Sequence, residues 1–512
     1  MTESRAWRQA LYILAGTTLL RLLIGAIVPL FPDETYYWDW SRTLMAGYFD
    51  HPPMIAVLVR MGTTIFGNHA IGVRFFSILA GSGAIYAVAL TSRELAGDGA
   101  AKLAVLLLCC MPLAAVGLIL ATPDAPMLCA ASWALYAVVR AVHVPENGDK
   151  RPGTRWWLIA GLAIGLAMAS KYTSILIPAS IALACILHPR LQNKFGEAGP
   201  YLAVIVASLV LLPVLIWNWR HDWVSFKFQL GHGLGEPQGG VLGALNRELE
   251  LLGGQIGLVS PILFYFVVRA IKRAFEPTPD GTRLVLGVTA ACGLAFFVYS
   301  ATHRRAEANW PAIAWIPAVI LLATEPVGSD RSERWLKRGL QLGGALSAIV
   351  CIHALYPIIP LRADRDQIAK AYGWELLGNV VDRHLDAVRG RQSAGNELFV
   401  AGERYQDASE LAFHLKAHQR VYSLNLTGRP NQYDLWTTFN EQASVGAGMI
   451  LVLDDEKGEP RDIRKLSCCF HIDSGESVAL MRGDAYVTRK RLWYLSQWNG
   501  EWPQRNQPFP WQ

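Results

Sequence analysis

Apolar runs of roughly membrane-spanning length recur from the N-terminus to about residue 358. They fall at 9–30, 70–91, 102–121, 126–142, 156–170, 174–188, 200–217, 250–270, 284–301, 310–324 and 339–358. This pattern predicts about eleven transmembrane helices. The first run is too long for a cleaved leader. It carries Arg21 and leads into an acidic, aromatic loop rather than a small-residue cleavage site. After residue 358 the pattern changes. Short strand-like runs at 397–401, 421–424, 449–453, 477–481 and 485–494 flank a helical stretch at 406–416. That alternation predicts a small α/β domain. The expected division is a membrane domain over 1–358 and an outer α/β domain over 359–512.

Composition agrees with a membrane protein. Of the 512 residues, 52% are hydrophobic and 17% are charged, against about 25% charged in ordinary soluble domains. The net charge is +6, but no basic stripe with interleaved aromatics marks a nucleic-acid surface. No nucleic-acid partner is expected. Six cysteines (109, 110, 129, 185, 292 and 351) lie inside apolar runs, where they act as small hydrophobes. The adjacent Cys468 and Cys469 have neither zinc-site nor disulfide-framework spacing.

Lys and Arg sort the loops into two sets. Arg5, Arg8, Arg93, Lys102, Lys150, Arg151, Arg155, Arg190, Lys194, Lys272, Arg273, Arg283, Arg331, Arg334, Lys337 and Arg338 fall in one set. That set is expected to be cytoplasmic, with the N-terminus. An odd number of spans then puts the C-terminal domain outside.

The outward loops carry the polar chemistry. The sharpest feature is Pro32-Asp33-Glu34-Thr35-Tyr36-Tyr37-Trp38, directly after the first apolar run. Two adjacent carboxylates at a bilayer edge suit a general base or a cation partner. Equally, they suit a helix cap in which Asp33 caps and the aromatics form an interfacial belt. Tyr48-Phe49-Asp50-His51-Pro52-Pro53 follows. Asp50 and His51 can orient substrate or relay a proton, or simply order a loop. The pair is too small for a zinc site. Asp50 with His221 is a weaker cation possibility. Asp124 lies between prolines at the end of an apolar run, as a working acid or a turn residue. Lys171, Arg304 and Arg305 break the positive-inside trend and suit a phosphate. Lys171 also fits a snorkelling role, and Glu307 can neutralise one of the arginines. Arg21 is expected near mid-membrane, paired with a buried carboxylate or facing a lipid-phosphate path. Aromatics around His221 suit sugar rings or the membrane interface.

These motifs, in this order, resemble the outer loops of glycosyltransferase family 39. That family holds the dolichyl-phosphate-mannose protein mannosyltransferases and the bacterial lipid A aminoarabinose transferases. The likeness runs through Asp33-Glu34, Tyr48-Phe49-Asp50-His51-Pro52-Pro53, Thr122-Pro123-Asp124-Ala125-Pro126, Ser170-Lys171-Tyr172-Thr173, His221-Asp222-Trp223 and Glu307-Ala308-Asn309-Trp310-Pro311. It covers roughly residues 10–325. It implies the GT-C fold, a mainly α polytopic bundle with its site on the outer face of a bacterial inner membrane. It implies transfer of a sugar from a polyprenyl phosphate carrier to lipid A, another envelope glycolipid, a polysaccharide or a protein. Asp33 is then the catalytic carboxylate and Asp124 a second essential acid. Glu34, Tyr37, Arg42, Asp50, His51, Lys171, Tyr172, His221, Arg304, Arg305 and Glu307 are the expected substrate-binding residues. No metal or other cofactor is expected beyond the polyprenyl-phosphate-linked sugar itself. Two positions depart from the aminoarabinose transferases. His51 replaces a Lys and Tyr36 an Arg, so Lys171, Arg304 and Arg305 are expected to supply the missing charge. Two other classes stay open, a flippase for lipid-linked sugars and a non-catalytic envelope sensor. The acids gather at one face and no repeat is evident, which favours the enzyme over a transporter.

Overall fold

A computed structural model describes residues 4–142, 153–276, 281–326, 328–363, 365–389, 397–426, 428–455 and 461–503. Lys150 and Arg151, used above for topology, lie outside the described residues. The chain forms two compact units. The first is Met1–Ile27, Met45–Gly47 and His51–Tyr356, and the second is Val28–Leu44, Tyr48–Asp50 and Pro357–Gln512. The division is not the simple cut at residue 358 read from the sequence. The acidic helix after the first apolar run packs within the second unit.

Among its described residues, the regular structure of the first unit is all helical. Among the described residues, six of the molecule's helices are long and apolar enough to cross a membrane, or eight if each sharply bent pair is one span. Each of the eleven apolar runs overlaps a helix, but runs and spans are not one to one. Ala70–Cys110 takes up two of the runs and is interrupted at Ala96 and Gly97, where Gly97 has φ +79°. Met111 and Pro112 then end it, because proline has no N–H to continue the ladder. The 102–121 run is therefore broken near its middle. The 250–270 run is broken too. Ser260 (φ +80°) and Pro261 turn Gly240–Val259 by 102° into Pro261–Arg273. Gly153–Met168 and Ala312–Thr324 are apolar but shorter. The core joins Trp7, Leu107, Leu135, Phe297 and Trp315.

Arg21 is buried, and its Nε donates to the Ala115 carbonyl at 3.4 Å. It forms no ion pair with a carboxylate among the described residues. The expected buried-carboxylate partner is replaced by backbone.

The second unit is built on a five-stranded sheet. Its strands are β1 (Leu398–Gly402), β2 (Tyr422–Ser423), β3 (Gly448–Asp454), β4 (His471–Arg482) and β5 (Ala485–Ser496). Their order is β2-β1-β3-β5-β4. β1 pairs parallel to β2 and β3, while β5 runs antiparallel to β3 and β4. β3 is buried along six of its seven residues, which explains its unbroken apolar run. Met449, Leu451, Leu453 and Leu495 pack with Phe439 and Trp498.

The Tyr405–His414 helix follows β1 closely. A Cβ at Gly402 would sit 2.9 Å from the Ala408 amide, so only glycine permits this approach. The helix is anchored at Asp407, which is buried and accepts from the buried Lys490 at 2.7 Å and from Arg404 at 3.3 Å. That ion-paired start fixes the next side chain to matter, Tyr405.

Candidate active site

The Pro32–Arg42 helix starts as its sequence dictates. Pro32 takes the first helical position, and the Glu34 carboxylate reaches back to the Phe31 amide at 3.0 Å. The cap is thus Glu34, not Asp33. Glu34 is buried in this role. The division of labour leaves the Asp33 carboxylate outside the cap, with open surface on one side.

Asp33 sits in a built cluster. The Tyr405 hydroxyl donates to its Oδ1 at 3.4 Å. Asp50 is buried, and its two oxygens accept from Tyr36 and from Arg429, each at 2.8 Å. The Tyr36 hydroxyl in turn accepts from the Gln432 amide at 2.7 Å, while the Gln432 side chain accepts from the Phe49 amide at 2.7 Å. Arg429 lies over the Tyr405 ring, 5.3 Å from its centroid. Asn425 and Asp434 tie this loop to itself, with Asn425 donating at 2.8 Å. Tyr36, Tyr405 and Arg429 were not among the expected site residues.

The electrostatics follow from these neighbours. Crowding by protein, then the negative Asp50, pushes the Asp33 carboxyl above the ordinary carboxylate range. Arg429 and the Tyr405 hydrogen bond oppose that shift. Burial, then Asp50, drives the Tyr36 phenol well above its usual value. Burial, then Asp33, raises Tyr405. Both phenols therefore stay protonated as hydrogen-bond donors, and Asp33 is a carboxylate with enhanced basicity.

Activity that needs ionised Asp33 should fall as pH drops, with its acid limb above the usual aspartate value of about 3.9. Asp50→Asn should move that limb to lower pH and Arg429→Gln to higher pH, read from kcat/KM against pH. A common direction for both variants would count against this assignment. The stability sign is opposite to that of a salt-bridged acid. A raised folded-state pKa stabilises the fold below the unfolded value, and this is lost as pH rises through the folded value.

Other expected residues of this unit have structural partners. Tyr37 is buried with its ring 5.0 Å from Trp40. Arg42 pairs with Asp39 at 2.9 Å, donates to the His418 carbonyl at 2.7 Å and lies 4.9 Å from the Trp38 ring.

A second cluster lies in the first unit. Asp124 opens the Asp124–Val142 helix. One of its oxygens accepts from Lys171 at 2.7 Å and the other from Asn309 at 2.9 Å. Lys171 and Asp124 are largely buried. Tyr172 donates to Ser225 at 3.0 Å, accepts from Asn218 at 3.2 Å and stacks on Phe226. His221 stacks on Trp217 at 4.1 Å, and its Nδ1 meets the Trp217 carbonyl at 2.7 Å. Asp222 and Trp223 then turn the chain with φ of +52° and +59°, a strained arrangement for residues other than glycine. His51 is half-buried at the start of this unit's longest segment. Arg305 pairs with Glu250 at 3.6 Å rather than with Glu307. Among the described residues, no three His, Cys, Asp or Glu side chains gather as a metal site.

Asp124 and Asn309 edge an apolar cavity of about 120 Å³, walled by Leu108, Leu118, Leu128 and Trp315. A carboxylate–lysine pair at the rim of a hydrophobic hollow suits a molecule with a polar head and a hydrocarbon tail.

Residues 50–217 match the model of the dolichyl-phosphate-mannose-protein mannosyltransferase family. The fold as a whole superimposes on ArnT from Cupriavidus metallidurans bound to undecaprenyl phosphate, with a TM-score of 0.65 over 96% of this chain and 99% of that one at 18% identity. A lipid A galacturonosyltransferase from Rhizobium johnstonii is 27% identical over 432 residues, which is 83% of this chain and 87% of that protein. This chain has the GT-C fold and is similar to glycosyltransferases of family 39. The GT-C chain is also 28% identical to an undecaprenyl phosphate-α-4-amino-4-deoxy-L-arabinose arabinosyl transferase from Pseudomonas aeruginosa. That match covers 36% of this chain and 35% of the relative's length. These relatives are named as transferases and none as a transporter.

Proposed function

We propose that this enzyme moves a sugar from a polyprenyl phosphate carrier to lipid A or a related envelope glycolipid. The observation that carries the chemistry is Asp33, whose surface is open and whose carboxyl is held above its ordinary pKa beside Tyr405 and the Asp50–Arg429 pair. The names of its relatives support the carrier and the acceptor class.

The reaction is a single displacement at the anomeric carbon. The acceptor oxygen attacks from the face opposite the phosphate, the C–O bond to phosphate breaks, and the configuration inverts. With a hydroxyl acceptor, Asp33 takes its proton. With a phosphate acceptor no proton moves, and Asp33 orients the nucleophile instead. Asp124 and Lys171 serve at the cavity rim, as a second acid and a charge facing the lipid-linked substrate. Tyr36 and Tyr405 hold the carboxylates that surround the acceptor. A lipid-linked donor needs no nucleotide in an outer compartment, and leaving phosphate can be met by Lys and Arg.

The distribution of Lys and Arg among the loops supports an inner-membrane location, with the N-terminus cytoplasmic and the second unit periplasmic. Mass spectrometry of envelope lipids from cells with and without the chain tests the proposal. A sugar-sized increment on lipid A or another glycolipid should appear only with it. Identical envelope lipids in both strains would reject the assignment.

A further inference from the structure

The Thr282–His303 helix is followed by Arg304 and Arg305, while Arg283 stands at its other end among a separate group of cations. Arg283 and Arg273 both reach Glu325, at 2.6 and 3.7 Å. The Glu325 side chain is only 7% exposed. Arg269 lines the same hollow as Glu325. It is half-buried and makes no hydrogen bond or ion pair among the described residues. Three arginines thus gather about one carboxylate, which leaves an excess of positive charge. The sequence places them there: Phe266, Arg269 and Arg273 recur at helical spacing, along one stripe of the Pro261–Arg273 helix.

The Pro261–Arg273 helix packs on the Asp330–Leu355 helix. The two approach most closely at Gly339, where a Cβ would lie 2.9 Å from Leu263 and 3.0 Å from Ile262. One turn away, Phe266, Leu322 and Leu336 wall a small hollow that Arg269 and Glu325 also line. The neighbouring surface is apolar and open. Val268 and Trp335 are exposed, and Arg338 lies 5.1 Å from the Trp335 ring. Exposed tryptophan beside arginine is the pattern of a membrane–water interface. Loop cations that set topology need only water around them. Arg269 differs, because it sits within a helix, between apolar walls, with no internal anion of its own.

A partly desolvated guanidinium without an anion is costly, and its planar fork matches phosphate oxygens. A basic hollow between membrane helices suits a charged headgroup carrying a hydrocarbon tail. We propose that this hollow binds an anionic phospholipid of the bilayer. Its phosphodiester oxygens meet Arg269 and Arg273, and an acyl chain runs along Phe266, Leu322 and Leu336. The lipid is neither donor nor acceptor of the sugar. Its hollow shares no residue with the cavity edged by Asp124 and Asn309. Glu325 belongs to the site as the carboxylate that holds Arg273 and Arg283 in place.

Native mass spectrometry of the purified full chain in neutral detergent tests this. The probes are phosphatidylglycerol and phosphatidylcholine with identical dioleoyl chains, supplied in equal amounts. Wild type should retain phosphatidylglycerol in preference. Arg269→Gln should lower that preference about fivefold, and Arg269→Lys should keep part of it. Arg8→Gln removes an exposed cation elsewhere and should leave the preference unchanged. Arg269 has no internal partner, so its loss unpairs nothing. If Arg269→Gln nevertheless fails to fold, Leu336→Phe narrows the hollow at constant charge and should also lower retention. Three results would overturn the proposal. Wild type could show no preference, Arg8→Gln could match the effect of Arg269→Gln, or free glycerol 3-phosphate could displace the lipid as well as phosphatidylglycerol does. The second result would mean diffuse surface attraction, and the third a site for phosphate without a lipid tail. Sugar transfer enters no arm of the experiment, so its failure leaves the proposed reaction untouched.

Discussion

The Asp33→Asn enzyme should fold normally and transfer sugar about a thousandfold more slowly than wild type, within the range of about 10²–10⁴ that a general base contributes. Asparagine matches aspartate in shape, and its carbonyl oxygen still accepts from the Tyr405 hydroxyl. The cap of the Pro32–Arg42 helix is unaffected, because Glu34 provides it. With a hydroxyl acceptor, what is lost is the negative charge and with it the ability to take a proton. Initial rates and melting temperature should therefore separate, with the rate collapsing and the melting temperature holding. Asp33→Glu should recover a fraction of the rate, since it restores the base but displaces it. An Asp33→Asn enzyme with wild-type turnover would show that Asp33 is not the base.

The second large effect concerns Lys171 and Asp124. Lys171→Met leaves Asp124 largely buried without its cation, and breaking a buried pair in this way costs about 3–5 kcal/mol. The Asp124→Asn/Lys171→Met double variant should regain most of that stability, because no uncompensated charge remains and Asn309 still has an oxygen to donate to. Its activity should stay at least as low as that of either single variant if both charges serve the substrate. Reversible unfolding in denaturant reports the stability and an initial-rate assay the activity. A double variant that recovers both would reduce the pair to a structural strut at the cavity rim.

Much of this was legible in the sequence for identifiable reasons. The β strands of the second unit were visible because β1 and β3 are short apolar runs bounded by turn residues. The acidic helix was visible because two carboxylates beside an apolar run are expensive unless used. Which of the two did the capping was not visible, since it depends on helix phase set by Pro32. The helix breaks were partly visible. Pro112 and Pro261 lie inside runs read as spans, and an apolar run does not report a bend. Arg429 was missed because it meets Asp50 across 379 positions of sequence. A signal stood nearby. The segments at 402–407 and 432–436, on either side of Arg429 in the sequence, are polar and aromatic, and they reach the cluster through Tyr405 and Gln432. The pairing of Arg305 with Glu250 was likewise out of reach, because it needs the bend at Ser260 and the fold around it.

The most direct test of sugar transfer is a reconstitution with the purified chain alone. Proteoliposomes would hold the enzyme, a polyprenyl phosphate carrying a radiolabelled sugar, and lipid A. The account predicts label on lipid A, stoichiometric release of polyprenyl phosphate, and neither with Asp33→Asn. Label that crosses the bilayer while remaining on its carrier, with no transfer to lipid A, would contradict it.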